Sequence, residues 1–265
     1  MTPDAPGGRV LVSAHRAGWG GDPARENTRA ALDAVAGGDA DYVEVDVRRL
    51  GDGSLVLRHD PWVAVDGVHL PLEALGAEEL GSADPDALSL AEALTLLAGR
   101  ARVHLDLKMR AAGADHGTAP HVLATSLAVQ ALGAENVLVT TGSVAAVRAV
   151  RAWSRAAGRD VRTALSVGGS VAGRPLGQQL RMRRDQLFPA ARLERSGAGA
   201  VAVQHWLARL GVARHARRAG LPLVVWTVDT PRGLRYWLRP GRAWLVTTNQ
   251  PDLALAIRAA TESRA

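Results

Sequence analysis

Short runs of apolar residues alternate along the chain with longer segments whose apolar positions have a helical spacing. This alternation is typical of repeated strand–helix units around a parallel sheet. There are about eight such runs, and their nearly continuous apolar character favours a closed barrel over an open sheet. We therefore predict an α/β fold, a TIM-type (β/α)8 barrel. The predicted barrel strands are 10–13, 42–47, 102–107, 136–140, 162–167, 200–204, 223–228 and 244–248.

The alternation breaks after the second predicted strand. A Gly-Asp-Gly turn at 51–53 separates this strand from another apolar run at 54–58, and the gap is too short for a parallel crossover. The turn predicts a hairpin whose second run returns antiparallel along the second strand. Residues 61–88, rich in glycine, proline and acidic residues, are predicted to form a small inserted loop within one domain spanning 1–265.

The hairpin is expected to bring polar side chains together. If the turn centres on Asp52, Val45 lies opposite His59, and Glu44 and Asp46 become neighbours of His59 at the mouth of the barrel. Residues two apart on a strand share a face, so Glu44 and Asp46 point the same way.

A second strand end carries a similar polar pair, Asp106 and Lys108. Barrel active sites lie at the carboxyl ends of the strands. Buried carboxylates are costly unless a cation neutralises them, and oxygen ligands suit Mg²⁺ or Ca²⁺. We therefore predict a divalent metal site formed by Glu44, Asp46 and Asp106. For any one acid, an ion pair with one of the many arginines is the alternative.

Composition narrows the partners and the ligands. The 265 residues, 47% hydrophobic and 22% charged, suit one domain with a sizeable core. The absence of cysteine excludes thiolate metal sites and a cysteine nucleophile. The net charge of +6 suits a phosphate-bearing small molecule, a nucleic acid or a lipid surface. With 4% aromatic residues and no stacking motif, no nucleic-acid partner is expected.

Neither a secretory signal nor a transmembrane segment is expected. The first residues lack a basic start and a continuous apolar region, and no later apolar run is long enough to cross a bilayer. The predicted location is the cytoplasm. The basic stretch 181–184 is expected to form the solvated face of a helix, with weak contact to an anionic lipid surface as the alternative.

Two cations and an aromatic residue are candidates for binding substrate. Of the 32 lysines and arginines, only Lys108 is a lysine, and its compact ammonium could contact a phosphate oxygen beside a metal, although chance placement is the alternative. Arg16 could hold a phosphate by paired hydrogen bonds. Trp226 ends the seventh strand and is expected to wall the pocket, with a core position as the alternative.

Two histidines are candidates for catalysis. His15 ends the first strand and His59 ends the hairpin, so both are expected at the barrel mouth. One histidine could activate the nucleophile while the other protonates the leaving alkoxide. For His15, a structural position at a strand end is the alternative.

Taken together, these motifs resemble the glycerophosphodiester phosphodiesterase family, and their order and spacing match it over almost the whole chain. The matching residues are His15-Arg16-Ala17, Arg25-Glu26-Asn27-Thr28, Glu44-Val45-Asp46, His59-Asp60, Asp106-Leu107-Lys108 and Trp226-Thr227. The resemblance implies a barrel with a small insertion, a divalent metal on the three acids and two catalytic histidines. It implies hydrolysis of glycerophosphodiesters to glycerol 3-phosphate and an alcohol. Lysophospholipase D-type action on lysolipids and a catalytically weak phosphate-binding barrel are the alternatives.

The chain departs from the family pattern at several positions. Ala17 replaces a glycine and Arg25 a proline, which affects loop shape. Asp106 replaces a glutamate, and its shorter side chain is expected to reach the metal through a strand shift or a water molecule. Asn249 stands where the family often has the aspartate of Thr-Asp-x-Pro, so we expect a charge near the mouth to be lost.

Overall fold

The protein is a (β/α)8 barrel with two extra strands paired outside it and a separate two-stranded sheet. The structure, a computed structural model, describes residues 8–18, 20, 22–109, 120–169, 173 and 175–263. The strands are β1 (Leu11–Ala14), β2 (Tyr42–Arg49), β3 (Leu55–Leu57), β4 (Trp62–Val65), β5 (Val68–Pro71), β6 (Leu88–Ser89), β7 (Val103–Leu107), β8 (Val137–Thr141), β9 (Arg162–Val167), β10 (Ala200–Gln204), β11 (Leu223–Trp226) and β12 (Leu245–Thr248). The helices are α1 (Arg29–Val35), α2 (Ala77–Ala83), α3 (Leu90–Leu97), α4 (Pro120–Leu132), α5 (Val144–Ala156), α6 (Leu176–Leu187), α7 (Ala190–Ser196), α8 (His205–Leu207), α9 (Ala213–Arg218), α10 (Pro231–Trp237) and α11 (Pro251–Glu262).

Eight parallel strands close the barrel. They are β1, β2 and β7 to β12, and the ring closes because β1 pairs with both β2 and β12. The apolar strand residues that face outward pack against the helices in two large buried clusters, one on each side of the barrel. The predicted barrel is therefore confirmed, and its parallel strands place all their carboxyl ends at one mouth.

The barrel interior is apolar towards the amino ends of the strands. Tyr42 and Trp244 lie there and meet edge to face, with ring centroids 6.2 Å apart. The guanidinium of Arg162 lies over the Trp244 ring, 4.4 Å from its centroid. This end of the barrel is thus filled by packed rings, and the polar interior residues are found at the other end.

The hairpin after β2 has the predicted register. β3 pairs antiparallel with the end of β2, and the N–H of Arg58 donates to the carbonyl of Asp46 at 2.9 Å. The pairing therefore continues to the residue before His59 and places His59 opposite Val45. The barrel mouth gains a histidine from an element outside the barrel.

The segment predicted as an inserted loop is instead regular. It contains the antiparallel pair β4–β5, helix α2 and the short strand β6, around a small core with Val63 and Leu72. Asp66 and Gly67 both have positive φ, 50° and 77°, as a tight hairpin turn requires. Because Asp-Gly between alternating apolar residues is a strong hairpin signal, these two strands could have been predicted. Among the described residues, no helix combines the length and apolar character needed to cross a membrane.

Gly51 should be required where the insertion packs against the hairpin. Its N–H donates to the carbonyl of Leu75 at 2.8 Å, and a Cβ on Gly51 would lie 2.6 Å from the carbonyl oxygen of Glu73. Gly51→Ala should therefore lower the free energy of unfolding by about 1–3 kcal/mol in urea denaturation. Gly81→Ala, on α2 with open space around it, is the control and should be neutral or slightly stabilising. Equal stability of the two variants would contradict this contact.

Candidate active site

A cavity of about 400 Å³ opens at the carboxyl ends of the barrel strands. Every predicted site residue except Asp46 lines it, and Asp46 lies beneath, with its Oδ1 3.3 Å from Nζ of Lys108. The predicted residues that line the cavity are His15, Arg16, Glu44, His59, Asp106, Lys108 and Trp226. Residues far apart in the sequence thus meet at one site.

The pairing of β2 with β7 brings the three acids together. Asp46 and Asp106 are direct partners across the two strands, and Glu44 lies two residues before Asp46 on the same face. Each of the three carboxylates offers an oxygen within 4.8 Å of the others. Asp106 therefore reaches the cluster despite being shorter than the glutamate of the family pattern, because its partner is directly adjacent.

The charges in the cluster are unevenly balanced. Burial raises the pKa of Glu44 well above its ordinary value, and Asp46 and Asp106 raise it further by repulsion. Burial also opposes ionisation of Asp46, but Lys108 and Arg16 outweigh it and lower the pKa of Asp46. The neighbouring cations therefore favour the charged form of Asp46, whereas burial and the other carboxylates oppose the charged form of Glu44.

The residues fit a divalent metal ion. Oδ1 of Asp46 is buried and accepts no hydrogen bond from the described residues, although Nζ of Lys108 lies 3.3 Å away. A buried carboxylate oxygen without a hydrogen bond is costly, and a further cation beside it would reduce that cost. Three carboxylates within 4.8 Å are the donor set that hard divalent cations prefer. Glu44, Asp46 and Asp106 could thus hold such an ion.

Arg16 connects the first strand to the acids. Its N–H donates to Oε2 of Glu44 at 2.7 Å, its Nη1 donates to Oε2 of Glu26 at 2.5 Å, and its Nε lies 3.2 Å from Oδ2 of Asp46. Arg16 and Ala17 both have positive φ, 49° and 65°. Since a left-handed backbone costs a non-glycine residue about 1–2 kcal/mol, this turn is strained where it meets the site.

Asn27 orients Asp46, a contact that sequence reasoning did not anticipate. Nδ2 of Asn27 donates to Oδ2 of Asp46 at 3.2 Å, and the N–H of Asp46 donates to Oδ1 of Asn27 at 3.1 Å. The helix cap is the neighbouring Thr28, whose hydroxyl accepts from the N–H of Ala31. Asn27 therefore belongs to the site, and Thr28 caps the helix.

Lys108 lies between two of the acids. Its Nζ is 2.5 Å from Oδ2 of Asp106 and 3.3 Å from Oδ1 of Asp46. Burial opposes the charge on Lys108, but Asp106 and Asp46 outweigh it and raise the pKa of the ammonium. Lys108 is therefore charged, and it is the cation closest to the proposed metal ligands.

Contacts to the ring and to the backbone carbonyl of His59 hold this residue at the mouth of the barrel. Its Nδ1 lies 2.8 Å from Oδ1 of Asp60, which leaves Nε2 available. Arg48 donates two hydrogen bonds, at 2.8 and 2.5 Å, to the carbonyl of His59, and its Nη1 lies 3.4 Å from the carbonyl of Lys108. Arg48 thus links the two segments, although nothing in its sequence context signals this.

His15 is more buried than His59. Its Nδ1 lies 2.6 Å from Oδ1 of Asn249, and its Nε2 lies 3.9 Å from Oε2 of Glu44. Burial lowers the pKa of His15, which therefore favours the neutral ring.

A chain of hydrogen bonds inside the barrel orients Asp106. The Thr140 hydroxyl donates to Oδ1 of Asp106 at 2.9 Å and so must accept from Nε2 of His104, 3.0 Å away. Nδ1 of His104 then accepts from the hydroxyl of Ser13 at 3.2 Å. Burial lowers the pKa of His104 to about 4, so this ring is neutral.

Trp226 forms one wall of the cavity. A Cβ on Gly168 would lie 3.2 Å from the Trp226 ring, and Gly168 has φ +132°. Only glycine combines this backbone conformation with such close approach, so the wall depends on Gly168 as well as on Trp226.

Fold and site together define a barrel enzyme with an acidic cluster, two histidines and two cations suited to a phosphate. The sequence matches the glycerophosphoryl diester phosphodiesterase family over residues 15–253, and the chain belongs to this family. Membership makes it a phosphoric diester hydrolase of the glycerophosphodiester phosphodiesterase type and confirms the family predicted from the motifs. No curated protein matches the sequence.

Solved structures share the fold at low identity. A candidate glycerophosphoryl diester phosphodiesterase from Agrobacterium tumefaciens superposes with a TM-score of 0.74 at 17% identity, covering 97% of this chain and 100% of the other. One from Silicibacter pomeroyi gives 0.73 at 18% identity, covering 97% and 95%. An Oleispira antarctica phosphodiesterase in complex with its product, sn-glycerol-3-phosphate, gives 0.66 at 18% identity, covering 94% and 96%.

Replacing Glu44 with glutamine should stabilise the metal-free protein as pH rises. Because the pKa of Glu44 is raised, the folded state binds more protons than the unfolded chain above the ordinary glutamate range, so stability falls as pH increases. We expect urea denaturation in EDTA to show that, as pH rises, the free energy of unfolding of the wild-type protein falls relative to that of Glu44→Gln, by on the order of 1 kcal/mol. Asp46 is present in both proteins and does not create the difference.

The exposed Glu78→Gln is the control for this comparison and should follow the wild-type pH profile. Saturating Mg²⁺ or Ca²⁺ should stabilise wild-type protein and leave Glu44→Gln nearly unchanged. If stability depends on pH in the same way in wild-type protein and in Glu44→Gln in EDTA, the pKa of Glu44 is not raised in the folded protein.

Proposed function

We propose that the enzyme hydrolyses glycerophosphodiesters to glycerol 3-phosphate and an alcohol in a metal-dependent reaction. The observation that carries this proposal is the cluster of Glu44, Asp46 and Asp106, whose oxygens approach within 4.8 Å in a cavity also lined by His15 and His59. The product complex of the Oleispira antarctica phosphodiesterase supports the choice of glycerol 3-phosphate. A cytoplasmic location stays a prediction.

The acids would hold the metal, and Mg²⁺ and Ca²⁺ both suit an all-oxygen donor set. When bound, the ion would supply positive charge that stabilises the phosphoryl oxygens. Lys108, which already bridges Asp46 and Asp106, would contact a phosphoryl oxygen beside them. Arg16 would share its guanidinium between Glu26 and the phosphate, and this shared contact would keep it aligned.

The histidines would carry the protons. In both rings Nδ1 is already engaged, by Asn249 for His15 and by Asp60 for His59, so Nε2 is the atom left for proton exchange. One Nε2 would accept the proton of the attacking hydroxyl while the other donates to the leaving alkoxide. The attacking group is either water or the neighbouring glycerol hydroxyl. Attack by the glycerol hydroxyl would give a cyclic phosphate that water then opens.

Trp226 would pack against the glycerol carbons.

Each catalytic histidine should be needed for turnover. Purified protein with glycerophosphocholine and Mg²⁺ or Ca²⁺ should release glycerol 3-phosphate, and EDTA should abolish the release. His15→Gln and His59→Gln should each lower kcat by roughly 10²- to 10⁴-fold. His69→Gln is the matched control, because His69 lies in the insertion, stacked on Trp62 with ring centroids 3.7 Å apart.

Two results would contradict this function. No metal-dependent turnover across a panel of glycerophosphodiesters and lysophospholipids would remove the enzymatic proposal. Tight metal-dependent binding of glycerol 3-phosphate without turnover would favour the catalytically weak phosphate-binding barrel.

A second candidate, lysophospholipase D-type action, is favoured by an exposed apolar rim beside the cavity. Most of the large apolar side chains exposed in the described residues lie on segments that follow β9 and β10, at the mouth end of the barrel. We call these residues the apolar rim: Leu176, Leu180, Leu187, Phe188, Trp206 and Leu210. The rim is joined to the cavity wall, since Nε2 of Gln186 on α6 donates to the carbonyl of Gly169 at 3.2 Å.

The charge around the apolar rim suits an anionic lipid surface. Arg181, Arg183 and Arg184 lie on α6 among the exposed leucines, and the guanidinium of Arg183 lies 5.5 Å from the centroid of the Trp206 ring. Apolar side chains interleaved with arginine are typical of segments that lie in a membrane interface. Docking of the rim would place a lysolipid head group next to the cavity.

Charged substitutions on the rim should separate the two substrate classes. Leu180→Glu combined with Phe188→Glu should weaken sedimentation with phosphatidylglycerol vesicles by about tenfold or more, because each buried apolar side chain contributes about 1.5–3 kcal/mol. Hydrolysis of vesicle-bound lysophosphatidylglycerol should fall in parallel, while glycerophosphocholine turnover should not change. Val68→Glu combined with Leu123→Glu is the matched control, since both residues are exposed but lie off the rim. Equal vesicle binding by the two double variants would exclude the rim as the docking surface.

A further inference from the structure

Asn249 lies beside His15 because β1 and β12 pair in parallel. Ala14 is the partner of Thr248, so the next residue of each segment, His15 and Asn249, meets at the same edge. Nδ1 of His15 lies 2.6 Å from Oδ1 of Asn249. The contact therefore sits on the seam where the barrel closes.

Asp229 determines which way the Asn249 amide points. Oδ2 of Asp229 accepts from Nδ2 of Asn249 at 2.8 Å, and Oδ1 accepts from the N–H of Asn249 at 2.8 Å and from the Thr248 hydroxyl at 3.2 Å. A carboxylate only accepts hydrogen bonds, so the amide nitrogen must face Asp229 and the amide oxygen must face His15.

The amide oxygen in turn selects one tautomer of His15. An amide oxygen only accepts, so the imidazole must donate from Nδ1. In the neutral ring the lone pair is then on Nε2, the atom that lies 3.9 Å from Oε2 of Glu44. The negative charge of Asp229 polarises the amide of Asn249 and strengthens it as an acceptor.

These contacts revise the meaning of Asn249 as a departure from the family pattern. The sequence led us to expect that a charge is lost from the mouth where asparagine replaces the aspartate of Thr-Asp-x-Pro. In the structure a carboxylate is still present one hydrogen bond further from His15, on Asp229. A negative charge is therefore present near the mouth, although not on the residue that contacts His15 directly.

We propose that Asp229 and Asn249 are positioning residues that hold His15 with Nδ1 protonated and Nε2 directed to the substrate. This inference rests on the proposed function, in which His15 exchanges a proton. As a base, Nε2 takes the proton of the attacking hydroxyl while the new O–P bond forms. As an acid, Nε2–H gives its proton to the leaving oxygen while the P–O bond breaks. In both cases Nδ1–H stays bonded to Asn249, and Asp229 stabilises the imidazolium through it.

The tautomer can be measured without turnover. In metal-free protein with ¹⁵N-labelled histidine, long-range ¹H–¹⁵N spectra distinguish a protonated Nδ1 from a protonated Nε2, and His15→Gln assigns the His15 signals among the 8 histidines. Wild-type protein should show the Nδ1–H form. In the Asn249→Leu variant, His15 should no longer be held in the Nδ1–H form alone. The same variant should lower kcat for glycerophosphocholine by about tenfold or more, with little change in KM. Asn136→Leu, an asparagine bonded to the carbonyl of Leu132 at the opposite end of the barrel, is the control.

Exchanging the side chains of Asp229 and Asn249 provides an independent test. Asn249→Asp alone places two carboxylates side by side, and Asp229→Asn alone removes the charge, so each should lower kcat. The double variant Asp229→Asn/Asn249→Asp keeps one carboxylate and one amide, and should restore the Nδ1–H form and most of the lost kcat.

The outcomes separate this proposal from the proposed function. An Nε2–H form of His15 in wild-type protein, or a folded Asn249→Leu variant with unchanged tautomer and kcat, overturns the positioning proposal. A double exchange that is folded but as impaired as the single variants also overturns it. If wild-type protein shows no turnover but its Nδ1–H signal depends on Asn249, the positioning of His15 is supported and the hydrolytic function is refuted.

Discussion

The burial of Glu44 and Asp46, together with the repulsion among the carboxylates of Glu44, Asp46 and Asp106, is the constraint on which the barrel mouth depends. Burial raises the pKa of Glu44 well above its ordinary value and the neighbouring carboxylates raise it further, which favours a proton or a cation in the site. The neighbouring groups respond to this charge, because Lys108 bridges two of the acids and Arg16 donates to Glu44 and lies beside Asp46. A site with this imbalance could hold a divalent metal ion, and such an ion or these cations would offset the charge that otherwise repels a phosphate.

Local periodicity was enough to predict the acidic cluster. Side chains two apart on a strand share a face, so Glu44 and Asp46 on β2 and Asp106 and Lys108 on β7 could be placed at one barrel end before the structure was known. The turn at 51–53 likewise predicted the register that brings His59 to the mouth. These predictions succeed because each depends on a few consecutive residues and on the parallel arrangement of the strands.

Contacts between distant segments could not be predicted in this way. Thr140 orients Asp106 and Arg48 holds the backbone of His59, yet each looks like an ordinary polar residue in its own segment. Asn27 belongs to a matching motif, but nothing in that motif indicates that its side chain contacts Asp46. Their partners depend on side-chain directions across neighbouring strands and loops, which hydrophobic patterning does not specify. The β4–β5 hairpin is different, since its Asp-Gly turn was a local signal that the acidic and glycine-rich composition of the insertion obscured.

The seam between β1 and β12 has a consequence for how the protein matures. His15 and Asn249 are separated by 234 positions in the chain, and β1 can complete its pairing only after β12 has formed. Contacts of such long sequence separation are made late in folding, because a long loop must close first. A chain still emerging from the ribosome therefore has its carboxylates and His59 long before His15 is fixed in place. With the proton-transfer role proposed for His15, partly synthesised or misassembled barrels would be inactive until the final strand docks.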